Sequence, residues 1–255
     1  MKDFVIWKTF ALYNHWCRMR LFRTLPGIER EIAEYSQQSK TTGTKFSTLW
    51  RAVSLIFKHK PSLILEAGTG LSTIILAAAI KQVKAKVPGY AGKIVSMESV
   101  DVWFETAKKN LPEKYADVVE LVLGPRMKYE FLFFRGYRHS NIPLLDYDFV
   151  FLDGPSYEDE NGGSFCADIF HVVETSSAPV IVGVVDTRVS SVFVLQQVFG
   201  RSAIRYYPFA RTSDFTVRRK PFRRKISSRD FRSNLLGEVG LHLDSSPPST
   251  ELRRL

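Results

Sequence analysis

The segment Glu66–Thr73 places two glycines and several hydroxyl side chains where a strand is predicted to turn into a helix. It reads Glu-Ala-Gly-Thr-Gly-Leu-Ser-Thr, with Gly68 and Gly70 two residues apart. Glycines let the backbone approach a ligand closely, and the first turn of the helix directs unpaired N–H groups and a positive dipole end at that ligand. The pattern therefore predicts a ligand-binding turn. The alternative is a tight turn without a ligand.

A carboxylate and a missing glycine narrow the class of ligand. Glu98 ends the next predicted strand, where its side chain can accept hydrogen bonds from both hydroxyls of a ribose. Dinucleotide-binding turns need a glycine or alanine where this chain has Thr73, and no phosphate-binding Gly-Lys-Ser/Thr follows the turn. We therefore expect a nucleoside without phosphates, which fits S-adenosylmethionine (SAM). An NAD-type ligand is the alternative.

Two aspartates end consecutive apolar strands of the predicted sheet. Asp153 closes Tyr147–Asp153 and Asp186 closes Pro179–Asp186, so both should face the crevice at the carboxyl edge of the sheet. There they could take the proton of a substrate hydroxyl, or hold a divalent cation such as Mg²⁺ that lowers the hydroxyl's pKa. The alternatives are a turn-capping role for Asp153 and, for Asp186, a helix cap or an ion pair with Arg188.

The elements that must position these residues follow from the hydrophobic pattern. From Pro61 onward, short apolar runs alternate with helical stretches, which is typical of a parallel sheet covered by helices. A hairpin formed by Ile204–Tyr207 and Phe215–Arg218 is expected to close the sheet edge. Three helices are predicted before Pro61, and the polar stretch 40–45 is expected to fold over the ligand. The five predicted parallel strands are Ser62–Glu66, Lys93–Glu98, Val118–Leu123, Tyr147–Asp153 and Pro179–Asp186.

Three motifs in this order resemble those of class I SAM-dependent methyltransferases. Leu65–Thr73, Ser96–Glu98 and Phe151–Pro155 look like the first, second and fourth motifs, and the likeness spans residues 60–218. The sequence is most similar to the small-molecule O-methyltransferase-like branch of this family. The resemblance implies an α/β fold, a Rossmann-like doubly wound, mostly parallel seven-stranded sheet with the last strand antiparallel.

The same resemblance implies roles for particular residues. SAM would be the cofactor, and the segment 124–126 would lie beside its adenine. Metal-dependent relatives carry acidic ligands at the positions of Asp153 and Asp186, but this chain has Thr187 where those enzymes commonly have an asparagine. The residues expected to form the SAM site are Glu66, Gly68, Thr69, Gly70, Ser72, Glu98, Ser99 and Asp153.

Composition and charge limit the partners and the compartment. The net charge of +10 comes largely from the two ends of the chain. Such a surplus of positive charge can attract nucleic acid, anionic lipid or an acidic substrate. The alternative is that these side chains are only solvated. The two cysteines are too few for a disulfide framework. No secretory signal and no apolar run of membrane-spanning length is visible, so we expect a cytoplasmic protein in which peripheral membrane contact stays open.

These observations lead to a domain division and a predicted function. We divide the chain into an N-terminal helical extension (1–59), a SAM-binding Rossmann-like domain (60–220) and a basic, partly disordered tail (221–255). The predicted activity is methyl transfer to a hydroxyl of a small-molecule or glycan-like acceptor. The alternatives are a nucleic-acid methyltransferase, suggested by the partial likeness of residues 153–157 to Asp-Pro-Pro-Tyr, and a non-catalytic basic binding module.

Overall fold

Three helices precede the first strand, as predicted. They are α1 (Lys2–Thr24), α2 (Ile28–Gln38) and α3 (Phe46–His59) in a computed structural model that describes residues 2–38, 44–131, 134–156, 165–186 and 189–218. The tail 221–255 and residues 40–43 of the polar stretch lie outside these residues. Because α3 repeats apolar residues every three or four positions, one of its faces is buried in the core.

Helix α1 packs on α3 and turns one apolar edge inward. Leu21 is fully buried, whereas Trp16 remains 45% exposed on the outer side. The guanidinium of Arg20 lies over the rings of both Trp16 and Trp50, at 5.3 and 5.9 Å from their centroids. Part of the basic charge at the front of the chain therefore contacts aromatic side chains.

None of the described helices has the length and apolar character that a membrane span requires.

The remainder of the described chain alternates strands and helices, with short 3₁₀ turns at Glu113–Tyr115 and Arg201–Ala203. In chain order the elements are β1 (Leu63–Ala67), α4 (Leu71–Lys86), β2 (Lys93–Glu98), α5 (Asp101–Asn110), β3 (Val119–Leu123), β4 (Arg126–Phe131), β5 (Phe134–His139), β6 (Phe149–Leu152), β7 (Phe165–Cys166), α6 (Asp168–Thr175), β8 (Val180–Asp186), α7 (Val189–Phe199), β9 (Ile204–Tyr207) and β10 (Thr212–Arg218).

Seven strands form the central sheet in the order β3-β2-β1-β6-β8-β10-β9. The first five strands of this order are parallel to one another, and β10, the last strand of the described residues, runs antiparallel to both of its neighbours. This confirms the predicted doubly wound sheet. The strand order reverses between β1 and β6, and in folds of this kind the ligand lies outside the carboxyl ends of the strands at that position.

Alternation along β6 shows how the sheet separates two apolar layers. Phe149 and Phe151 belong to the cluster that contains the buried residues of α3 and α4, whereas Val150 and Leu152 belong to the cluster of α6 and α7. Successive side chains of a strand point to opposite faces, so a strand covered on both sides must be apolar at every position. This accounts for the continuous apolar run from which the strand was predicted.

A second sheet of three strands, ordered β4-β5-β7, was not predicted. Arg126–Phe131 does alternate polar and apolar residues, so the sequence carried a strand signal that was missed, although none of these residues is fully buried. Gly136 allows β5 to approach β7, because a Cβ there would lie 2.7 Å from the carbonyl oxygen of Phe165. Rings of this sheet, Tyr129 and Phe165, pack against Phe170 of α6 at 5.6 and 5.4 Å. The insertion is thereby held against α6.

Replacement of Gly183 by alanine tests the packing of the central sheet. A Cβ at this position of β8 would lie 2.0 Å from the carbonyl oxygen of Val150 and 2.4 Å from the ring of Phe215. We expect Gly183→Ala to lower the free energy of unfolding by about 2 kcal/mol or more, as measured by urea denaturation. Gly70→Ala is the matched control, because a Cβ at Gly70 meets nothing within 4 Å. Equal stability of the two variants would contradict this account of the sheet.

Candidate functional site

The turn after β1 lies directly against the turn after β6. Gly68 has a φ of +102°, and a Cβ at this position would lie 3.2 Å from the backbone nitrogen of Gly154. Its own N–H donates to the carbonyl oxygen of Met97 at 3.0 Å. Asp153, next to Gly154, donates its N–H to Ala67 at 3.0 Å. The predicted ligand-binding turn is therefore fixed to the turn that carries the predicted catalytic aspartate.

Gly70 leaves open space at the start of α4. The residue is buried, yet a Cβ there would meet no atom within 4 Å. Its N–H donates to Oγ1 of Thr73 at 3.0 Å, and the hydroxyls of Thr69 and Ser96 lie 2.9 Å apart. Ser72 is buried in the first turn of α4. The hydroxyls hold the turn in place, and the space beside Gly70 can receive a ligand.

Glu66 is fully buried beneath this turn rather than exposed in the crevice. Oε2 accepts a hydrogen bond from Ser96 Oγ at 2.7 Å, and Oε1 makes no hydrogen bond within the described part of the chain. Burial raises the pKa of the carboxyl group to about 7, although the nearby hydroxyls of Ser72, Ser96 and Thr73 favour the ionised form. A ligand group that donates a hydrogen bond to Oε1 would complete its surroundings.

Glu98 lies at the end of β2 with its carboxylate held by the backbone. Oε1 accepts hydrogen bonds from the N–H groups of Ser99 and Val100, at 2.7 and 3.0 Å. Both of these bonds reach the same oxygen, so they orient the carboxylate and do not engage Oε2. The side chain is only 9% exposed. Ser99, predicted to belong to the site, contributes its backbone N–H to this arrangement.

Asp153 and the N-terminal segment meet at the crevice. Thr44 Oγ1 donates a hydrogen bond to Asp153 Oδ2, although the two residues are 109 positions apart in the chain. This contact places the end of the predicted covering stretch over the turn after β6. Asp153 itself is partly buried. Whether the stretch covers a ligand stays a prediction.

Asp186 ends β8, the strand next to β6, as the sequence predicted. It lies in register with Thr212, the first residue of β10. Its side chain lies outside the described part of the structure, and Thr187 and Arg188 do as well. The described residues contain no group of three or more His, Cys, Asp or Glu side chains that could hold a metal ion. A cation shared by Asp153 and Asp186 therefore stays a prediction.

Arg126 links the turn after β3 to the turn after β6. Its guanidinium donates to the carbonyl oxygen of Ser156 at 2.9 Å and lies over the ring of Tyr137, 4.2 Å from the centroid. Two residues earlier, Gly124 donates its N–H to the carbonyl oxygen of Glu98 at 2.8 Å. The segment 124–126, predicted to lie beside the adenine, thus borders the strand end that carries Glu98.

A buried His–Asp pair beside this edge was not predicted. His139 Nδ1 and Asp168 Oδ2 are 2.6 Å apart, and Asp168 Oδ1 accepts the backbone N–H of His139 at 2.8 Å. Both side chains are fully buried. The pair joins β5 of the inserted sheet to the first residue of α6, so it fixes the insertion on the main sheet. Their separation of 29 residues forms no recognisable motif.

Solved structures share this fold. A methyltransferase from Geobacter sulfurreducens aligns with a TM-score of 0.51 and 15% identity, over 75% of this chain and 89% of its own. A Staphylococcus aureus protein provisionally assigned as a caffeoyl-CoA O-methyltransferase aligns with a TM-score of 0.50 and 14% identity, over 81% and 99%. No protein-family model matches the sequence, and no curated protein does. At these identities the comparison confirms the predicted fold.

The buried carboxyl group of Glu66 makes a specific prediction about pH. Its folded pKa of about 7 lies above the ordinary value of 4.5, so the folded chain keeps a proton that the unfolded chain loses. This contribution to stability is complete below pH 4.5 and is lost as the pH rises toward 7. When the pH is raised from about 5 to about 8, the free energy of unfolding should fall in the parent chain. We expect the fall to be about 2 kcal/mol smaller in Glu66→Gln.

Urea denaturation at both pH values measures this difference. Glu105→Gln is the control, because it makes the same change at an exposed carboxyl group on α5. Parallel pH profiles for the parent chain and Glu66→Gln would show that Glu66 titrates normally in the folded protein.

Proposed function

We propose that this chain is a SAM-dependent methyltransferase that acts on a hydroxyl group of a small-molecule or glycan-like acceptor. The proposal rests mainly on the Gly68–Gly70 turn, held against Gly154, with the backbone-anchored carboxylate of Glu98 at the next strand end. The fold supports it, because a protein described as a methyltransferase from Geobacter sulfurreducens shares this architecture. The acceptor class is the finer part of the proposal.

The residues present fit a SAM molecule. The methionine part would occupy the space beside Gly70, where the backbone offers no steric hindrance. Glu98 would accept hydrogen bonds from the ribose hydroxyls through the oxygen that Ser99 and Val100 do not engage. Glu66 Oε1, buried and without a hydrogen bond in the described residues, would accept one from a donor group of the ligand. The segment 124–126 would border the adenine.

In the proposed reaction the protein mainly aligns the acceptor and receives a proton. SAM supplies an activated methyl group on a positively charged sulfur, so the acceptor oxygen needs alignment and the removal of its proton. Asp153 lies beside the turn at Gly68 and would accept that proton. The hydrogen bond from Thr44 to Asp153 Oδ2 holds the carboxylate in one orientation. Asp186, at the end of the adjacent strand, would face the same acceptor.

Two further assays separate the alternatives. A magnesium-dependent reaction would assign a cation to Asp153 and Asp186, whereas a reaction unaffected by chelation would leave both as acid–base or orienting groups. A nucleic-acid methyltransferase would bind nucleic acid with an affinity that falls steeply as salt is raised. We propose a reducing compartment, the cytoplasm, because a chain with only two cysteines has no disulfide framework.

Calorimetric titration with SAM tests the cofactor assignment. We expect micromolar binding by the parent chain and a loss of about tenfold or more, equivalent to about 1.4 kcal/mol, in Glu98→Ala, because the ribose loses its acceptor. Glu105→Ala serves as the matched control on the exposed surface of α5. NAD should give no heat of binding. The assignment would be refuted if the folded parent chain bound no SAM. It would also be refuted if Glu98→Ala bound SAM as tightly as the parent chain does.

Limited proteolysis tests whether the segment before α3 covers the ligand. Thr44 contacts Asp153, so a ligand held beside Asp153 should order the neighbouring backbone. We expect SAM to slow tryptic cleavage after Lys40 and Lys45 several-fold, and we expect Thr44→Val to weaken this protection. Cleavage after Lys108 or Lys109, both exposed on α5, is the internal control. Protection that is absent with saturating SAM would count against a covering role.

A further inference from the structure

The outer face of α1, defined here by Leu12, Trp16, Met19 and Arg23, carries large apolar side chains that remain exposed. Leu12 is 73% exposed, Trp16 45% and Met19 40%. Residues three or four apart lie on the same side of a helix, so these four positions form one stripe. Leu21, on the opposite side, is fully buried against the rest of the protein. The helix therefore uses one side for the core and presents a second apolar stripe to its surroundings.

The charge of this outer face is positive. Arg20 and Arg23 are exposed, and α1 contains no Asp or Glu after Asp3. Arg18 forms an ion pair with Glu29 of α2 at 3.7 Å. Within the described part of the chain no carboxylate lies at ion-pair distance from Arg23. The face thus combines exposed apolar side chains with positive charge that the protein itself does not neutralise.

An open groove follows the same side of α1, where this helix approaches α2. Its volume is about 440 Å³, and Glu29, the acidic residue in its wall, is the one already paired with Arg18. A guanidinium such as that of Arg23 binds phosphate well, and apolar side chains stand beside it in the same wall. The wall residues are His15, Arg18, Met19, Phe22, Arg23 and Glu29.

Charge and apolar character together select the partner of this face. In a two-fold symmetric dimer a surface meets itself, so a second copy of the chain would bring like charges together. Nucleic acid matches the charge but offers its phosphates to Arg and Lys, which leaves Leu12 and Met19 unused. An anionic bilayer suits both, because its headgroups attract basic side chains while apolar side chains enter the boundary of the acyl region.

We propose that the outer face of α1 docks the protein onto an anionic phospholipid surface. The helix would lie in the plane of the interface, with Leu12 and Met19 inserted and Arg23 at the level of the phosphates. Asn14 of the same helix accepts a hydrogen bond from the N–H of Ser47 at 3.0 Å, at the start of α3. Docking of α1 therefore holds the whole protein at the membrane. This binding does not depend on the methyltransferase proposal.

The test uses the full chain with vesicles of phosphatidylcholine alone and with vesicles that also contain phosphatidylserine. Flotation of the vesicles measures the bound fraction, and a lipid titration gives the affinity. We expect binding to the anionic vesicles only. Arg23→Gln should weaken it about fivefold, because one charge near the surface is lost. Leu12→Ser should weaken it about tenfold, because one inserted side chain is lost.

Two matched control variants make the same changes elsewhere on the surface. Leu144 is 75% exposed between β5 and β6, so Leu144→Ser removes an equally exposed leucine. Arg201 is exposed in the 3₁₀ turn before β9, so Arg201→Gln removes an equivalent charge. Both controls should bind the vesicles as the parent chain does. Thermal melting confirms that each variant is folded.

Several results would overturn the membrane assignment. These are an absence of binding to either kind of vesicle, equal binding to both, and binding that Leu12→Ser leaves unchanged. Binding of duplex DNA or RNA that Arg23→Gln weakens, without vesicle binding, would assign the face to nucleic acid instead. A dimer that Leu12→Ser dissociates, seen by analytical ultracentrifugation, would assign it to a second copy of the chain.

A SAM titration on the same samples separates this inference from the proposed function. A chain that binds SAM but no vesicles overturns the docking surface and leaves the methyltransferase proposal standing. A chain that binds anionic vesicles through α1 but binds no SAM supports the docking surface and refutes the proposed function. Because α1 contributes no residue to the proposed SAM site, Leu12→Ser and Arg23→Gln should leave the affinity for SAM unchanged.

Discussion

The contact between the Gly68 and Gly154 turns determines where every other part of the candidate site lies. Both residues are glycines, and a Cβ on either one would lie within about 3.2 Å of the other backbone. Backbone atoms at such a distance cannot adjust as flexible side chains do. The turn that receives the ligand and the turn that carries Asp153 are therefore fixed to each other. β1 and β6 are paired neighbours at the reversal of strand order, so the contact also defines the crevice.

Around this contact, three carboxyl groups have different surroundings. Glu66 is fully buried and its pKa is raised to about 7, whereas Glu98 is oriented by two backbone N–H groups. Asp153 is partly buried and accepts a hydroxyl hydrogen bond from Thr44. The environment of a carboxyl group decides whether it retains its proton, is anchored as an acceptor or acts as a base. The same chemical group can therefore support the turn, hold a ribose and receive a proton.

The N-terminal helices and the inserted sheet border opposite parts of the crevice. Arg51 of α3 is bonded to Asp214 and Tyr207 of the β9–β10 hairpin, so the helical extension is joined to the sheet there. The inserted sheet is joined to α6 by the buried pair of His139 and Asp168, on the side of Gly124. The His139–Asp168 attachment is fully buried, where hydrogen bonds are strong and their loss is costly, whereas the Arg51 side chain is 35% exposed.

The sequence by itself determined the features that depend on local pattern. The apolar strands of the main sheet, the glycine turn at Gly68 and Gly70, and the acidic strand ends were predicted because side-chain period and backbone freedom are properties of neighbouring residues. Only the tertiary structure decided which distant groups meet. Arg51 and Asp214 are 163 residues apart, and no local pattern connects them. The burial that raises the pKa of Glu66 arises only when separate elements exclude water together.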